Sequence, residues 1–337
     1  MADATKRETG LLKSSPVNVS KGLITIGSAT VLLLIISGIF APSSISPTSL
    51  SAMLPVASVL AIAGLGQMLV VQQGGIDLSV AGAMSLAVVI VTHVPDGNSG
   101  MLGPAVLLAI AFAIAAGIVN GLMIGGLGLN PIIATLGTNA LLYGLNLAIS
   151  GGRPRITTTL LASIGGGSTA GMPNAVFFAL AALLLVAVFV KRTVAGRRFE
   201  VIGDNPRAAR AMGLRVKLHQ TSAYIWAQLL YCGAGILIAG ITSQPIAYAG
   251  DTYLLPSVAV VVLGGTSLLG GRGFAIPTVI AAIFLQQLNQ FVFSLGVSSA
   301  IQIIIQAAAL AVGVSLYTVN WAAIWTALTR RTRAVTP

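Results

Sequence analysis

The chain has 337 residues, of which 56% are apolar and only 7% charged, and it carries a formal net charge of +11. A soluble domain has roughly 25% charged residues, so this chain has too little polar surface to cover itself in water and reads as an integral membrane protein. The surplus of Lys and Arg does not point to nucleic acid, because it clusters between apolar runs, as in cytoplasmic loops.

Residues 1–21 form a polar tail containing Lys6, Arg7, Lys13 and Lys21. No small-residue cleavage site follows the first apolar run, so no signal peptide is expected. Apolar spans are expected at about Leu23–Phe40, Met53–Val71, Val80–His93, Pro104–Ile124 and Pro131–Ser150. Asn130 and Pro131 read as the cap and first residue of the fifth. Gly117, Gly121 and Gly125 recur every four residues on the fourth and read as a close-packing face. A loop with Arg153 and Arg155 leads to a sixth span, about Ala175–Val190. Further spans are expected at about Ser222–Ile241, Leu254–Leu263 and beyond, Phe274–Phe293 and Ala300–Tyr317. The one around Pro256 is short and runs into glycines, so it is either full length or broken and re-entrant.

Ten spans with both termini inside place sixteen basic residues in the cytoplasm and two, Arg153 and Arg155, outside. The expected organisation is a tail at 1–21, an all-α transmembrane domain at 22–318 with a cytoplasmic loop at 191–217, and a second tail at 319–337.

The stretch Lys191–Lys217 holds eight of the eighteen basic residues and encodes a short helix. Asn205 or Asp204 can cap it, and Pro206 suits its first position. Ala208, Ala209 and Arg210 continue it, and Gly213 can take the left-handed conformation that ends it. Such a helix is about seven residues, roughly 10 Å long, and marginal alone. It therefore needs something to dock against; otherwise the stretch serves only to set topology.

The interior is polar without charge. Gln67, Asn139, Gln286, Asn289, Gln302 and Gln306 are candidates for lining a path for an uncharged, hydroxylated solute. The blander reading, interhelical hydrogen bonds, is the commoner one for any single amide. Asp77 and Asp251 lie at expected span ends, and Asp77 is expected to cap the third helix. Gly74, Gly75, Gly264 and Gly265 read as structural. The nearest thing to a phosphate loop, GGTSLLGGR at Gly264–Arg272, lacks the Lys-Ser/Thr pair, so any nucleotide hydrolysis belongs to another chain. A single cysteine, Cys232, and two distant histidines, His93 and His219, give no basis for a disulfide or a metal site. No cofactor and no catalytic residues are expected.

Four ordered segments, GGIDLSVAGAMSLA (74–87), LNPIIATLGTNALLYGL (129–145), GDNPRAARAMGL (203–214) and VAVVVLGGTSLLGGRGF (258–274), resemble the permease subunit of ribose-type sugar ABC importers. The likeness runs from about Leu23 to Tyr317. It implies a dimer of permeases in a bacterial inner membrane, a cytoplasmic ATPase docked on the 203–214 helix, and a periplasmic sugar-binding protein. Pro206-Arg207 stands where the family's coupling helix often has an acidic residue. A passive channel for small uncharged solutes is the competing class and leaves the capped helix without a task. A membrane-embedded enzyme would need paired carboxylates or a Ser/His pair, which the spans lack.

Overall fold

The computed structural model describes residues 21–298 and scattered positions between 300 and 311. The described residues are helical apart from connections and one two-residue hairpin, Ser168–Thr169 with Met172–Pro173. In chain order the helices are α1 (Lys21–Phe40), α2 (Pro47–Gln72), α3 (Val80–His93), α4 (Leu102–Gly121, continued by a π turn Leu122–Gly126), α5 (Pro131–Ser150) and α6 (Thr159–Gly165). They continue with α7 (Asn174–Arg192), α8 (Val194–Asp204), α9 (Pro206–Ala211), α10 (Val216–Ile241), α11 (Leu254–Leu263) and α12 (Ala275–Ser294).

Among the described residues, seven helices are long and apolar enough to cross a membrane: α1, α2, α4, α5, α7, α10 and α12. A crossing takes about 20 apolar residues; α3 and the segment Asp251–Leu263 are shorter. The expected span Ala300–Tyr317 falls largely outside the described residues, as do most of both tails.

Helices α2 and α10 form the centre of the bundle, with α3, α4, α7 and α12 packed around them. Most of α2 is buried, whereas Leu107, Ile133, Leu141 and Leu184 on outer helices are exposed. In lipid that exposure costs nothing, because the hydrocarbon is as apolar as the side chain. What holds the centre is close approach. A Cβ on Gly117 would stand 2.5 Å from Ile225 Cα, one on Gly121 2.5 Å from Thr221, and one on Gly125 3.0 Å from Lys217 O. The four-residue glycine face of α4 thus lies against residues spaced four apart on α10, and Thr221 donates to Gly121 O at 3.1 Å.

Three boundaries differ from expectation. Helix α2 starts at Pro47 rather than Met53, because Ser46 caps it through Ser49 N–H and Pro47 fits its first turn. The basic stretch forms two helices, α8 and α9, before α10 begins at Val216 rather than Ser222. The eighth span ends at Leu263 and is a half helix. Its missing half is the irregular segment 242–250, which folds back into the bundle, where Gly250 N–H donates to Ser85 Oγ at 3.0 Å, followed by a single 3-10 turn, Asp251–Tyr253, that leads into α11. Irregular backbone at that depth is tolerated where it is buried in protein or lines water.

Candidate functional site

At the end of the bundle that carries the basic stretch, α8 is capped by Thr193, whose Oγ1 accepts from Gly196 N–H at 2.9 Å. Its buried face is Gly196, Phe199, Ile202 and Gly203, a helical spacing. Phe199 packs among Leu65, Met68, Val190 and Val261, and Gln73 Nε2 donates to Phe199 O at 2.9 Å. A Cβ on Gly203 would meet Gln72 O at 2.0 Å. Helix α8 is therefore seated on the end of α2 by backbone contact.

Asn205 ends α8 and begins α9: its N–H donates to Val201 O, and its Oδ1 accepts from Ala208 N–H at 3.0 Å. Pro206 disfavours α conformation at Asn205, which is why one helix becomes two. The far end closes as a Schellman motif. Gly213 has φ +78°, its N–H reaches Arg210 O, and Leu214 N–H reaches Ala209 O, both at 3.0 Å. Ala209 is fully buried against Ile202, Leu214 and Val216. Ala209 is expected, with Ala208, Arg210 and Gly213, to carry coupling; its side chain faces inward and fastens α9 to the helix bundle. Ala208, Arg210 and Gly213 are exposed, and so is Met212, at 64%. A groove of about 560 Å³ beside α9 is lined by Arg197, Glu200, Val201, Asp204, Asn205, Ala208 and Arg272.

Further in, the chain reverses between α2 and α3. Gly74 turns at φ +77°, and a Cβ on Gly75 would stand 2.5 Å from Tyr224 Oη. Asp77 follows and is fully buried. Its Oδ1 accepts from Ser79 N–H at 2.9 Å and also from Ser79 Oγ, so it braces the turn before α3, whose own N-terminal cap position, Ser79, makes no side-chain cap bond. Gln228 Nε2 on α10 donates to Asp77 Oδ2 at 3.1 Å and to Ser79 Oγ at 2.7 Å. Asn120 Nδ2 on α4 donates to Ser79 Oγ at 3.0 Å, and Thr138 on α5 donates to Asn120 Oδ1. The interior is thus not polar by amides alone: Asp77, Ser79, Gln228, Asn120 and Thr138 form one hydrogen-bonded network that joins α3, α4, α5 and α10.

Gln67 packs beside this network. It is fully buried, with Tyr231 Oη donating to its Oε1 at 2.7 Å; turned over, the amide would instead donate to Asp77 O and accept from Asp77 N–H, each at 3.1 Å. Asn139 is half-buried, with Oδ1 accepting from Gly82 N–H at 2.8 Å. Gln286 and Asn289 are half-buried and bonded to each other at 3.3 Å. They lie on α12, which packs on α1, α2, α7 and α11, whereas α5, with Asn139, packs on α3 and α4. The expected path residues thus lie on helices that pack in different parts of the bundle. Gln302 Nε2 donates to Val297 O at 3.1 Å, and Gln306 lies outside the described residues.

The remaining structural positions have local reasons. Asn130 Oδ1 accepts from Ile132 N–H at 2.9 Å and caps α5. Gly265 has φ +86°, and a Cβ on Gly264 would stand 2.8 Å from Thr278 N. Among the described residues, no three His, Cys, Asp or Glu side chains gather as a metal site would require.

Residues 49–323 match the family described as the permease component of branched-chain amino acid transport systems. The chain is 32% identical to the ribose import permease protein of Bacillus subtilis, over 85% of this chain and 89% of that one. It is 34% identical to the autoinducer 2 import system permease of an Enterobacter species, over 74% and 72%. It is 29% identical to the galactose/methyl galactoside import permease of Escherichia coli, over 88% and 95%. No solved structure gives a significant match.

Proposed function

Because the chain belongs to the ABC-importer permease family that includes the ribose import permeases, we propose that it is the membrane-spanning subunit of an ATP-driven sugar importer. It is a multi-pass membrane protein of a transport family, not of an enzyme family. The solute is a pentose or a related uncharged polyol or furanoside. The energy comes from a separate cytoplasmic ATPase, a periplasmic sugar-binding protein delivers the solute, and two copies of the permease pair in the bacterial inner membrane. No cofactor of its own takes part.

The observation that carries this reading is α9. A helix of six residues, closed at both ends and fastened to the membrane domain through one buried alanine, presents Ala208, Arg210 and Met212 outward beside a polar groove. A passive channel for small uncharged solutes has no use for such a projection. When co-expressed, a tagged ATPase from the same transport system is expected to co-purify with the permease. Its consistent absence would favour the passive channel.

The same reading puts both termini and α8–α9 in the cytoplasm, with ten spans in all. Buried Cys232 leaves the chain silent to an impermeant thiol reagent. In intact cells, Ser14→Cys, Thr193→Cys and Thr332→Cys should stay unlabelled, and Ser168→Cys should react. Labelling of Thr193→Cys from outside would overturn the topology.

A further inference from the structure

We propose that Tyr143, Tyr248 and Asp251 form a weak sugar-contact site in the outer half of the transport path, built where segment 242–253 folds back against α5. This rests on the importer reading and assigns the solute a place on the chain. The rings of Tyr143 and Tyr248 lie 5.6 Å apart, tilted by 59°. Tyr143 Oη donates to Asp251 Oδ1. Asp251 and Tyr248 are exposed, and among the described residues Asp251 has no cationic partner.

Depth turns this cluster into a site. Gly250 sits on α3 between Ala81 and Ser85, and neighbouring Met84 lies against Gly235 of α10. Gly235 is six residues before the end of α10 and Tyr143 is seven before the end of α5, which at 1.5 Å per residue is about 10 Å inside the bundle's outer end. An exposed carboxylate beside irregular backbone cannot face hydrocarbon at that depth, so this face lines water. Hydrogen bonds hold the segment in place: Asn146 Nδ2 donates to Ala247 O, and Thr157 N–H donates to Ser243 O at 3.1 Å.

The chemistry selects the ligand class. Aromatic faces accept the apolar C–H side of a sugar ring, while a few directed polar groups fix its orientation. Asp251 and the lone pairs of the Tyr143 oxygen, whose proton goes to Asp251, supply acceptors for sugar hydroxyl groups, and a lone carboxylate repels phosphorylated sugars. The site is open and its contacts are few, as a transit site requires if the solute is to leave again.

The test uses the full chain in lipid nanodiscs with D-ribose and methyl galactoside as probes, read by saturation-transfer NMR. The wild type is expected to give a transfer signal for at least one probe, with a dissociation constant of about 1 mM or weaker, and no signal for ribose 5-phosphate. Tyr248→Ala and Asp251→Asn should each lower the signal at least about threefold, and Tyr248→Phe should restore it, because the ring rather than the hydroxyl is required. No signal for either probe with the wild type, an undiminished signal in both variants, or a micromolar wild-type site would overturn the proposal. The importer reading fails separately, if the wild type assembled with its ATPase shows no ATP dependence of uptake.

Discussion

Gly213→Val is expected to abolish sugar uptake while leaving the permease in the membrane. Gly213 holds φ +78° and closes α9 through two hydrogen bonds. A β-branched residue there is strained by about 1–3 kcal/mol, and a six-residue helix has little stability of its own to absorb it. Ala209→Glu should have the same outcome by another route. Ala209 has no exposed surface and packs on Ile202, Leu214 and Val216, so an unpaired carboxylate there would force α9 off its seat. Ala208→Glu and Met212→Glu change exposed positions, so they should leave α9 seated but weaken ATPase association at least about tenfold, or about 1.4 kcal/mol. Uptake, membrane level and co-purification of the ATPase, measured together, separate the two groups. Wild-type uptake in all four variants would mean that the stretch only sets topology.

Asp77→Ala is expected to be the most damaging single change inside the bundle. Removing the carboxylate strips Gln228 Nε2 of one acceptor and Ser79 of two contacts, in a region with no exposed surface. Each buried polar group left unsatisfied costs about 1–3 kcal/mol, so a loss of several kcal/mol, seen as a large fall in melting temperature in detergent, should result. Asp77→Asn should be milder. Its oxygen can still accept from Ser79 N–H, and its amino group can donate to Gln228 Oε1, which has no partner among the described residues. Equal melting temperatures for wild type and Asp77→Ala would show that the network holds nothing together.

The parts of this architecture that announce themselves locally were legible in the sequence. Helices α3 and α5 begin and end at the expected residues, since Asn130-Pro131 and Gly151 mark the ends of α5 chemically. Helix α9 was legible for the same reason, with Asn205, Pro206 and Gly213 in their expected places. Which face of α9 docks was not, because Ala208 and Ala209 are chemically identical and only the distant Val216 and Ile202 distinguish them. Helix α8 was missed among its arginines, although Thr193, Gly196, Phe199 and Ile202 carry a cap and a three-residue apolar spacing. The Asp77 network joins residues as far as 151 positions apart, and no local pattern encodes that. Gln67 and Asn139 look alike as intramembrane amides; only packing buries the first fully against Tyr231 and leaves the second half-buried on Gly82 N–H.

The central claim is that this chain moves a sugar inward using ATP hydrolysed by a separate subunit engaged through α9. The most direct measurement reconstitutes the permease, its ATPase and its binding protein in liposomes loaded with ATP and magnesium, with the ATPase and ATP on the side that carries α9. Radiolabelled sugar and its binding protein are supplied on the opposite side. Sugar is predicted to move towards the ATP side and accumulate against its gradient, to stop without ATP, and to stop with the Gly213→Val permease. Equal, purely downhill flux with and without ATP would contradict the account and make the chain a passive channel.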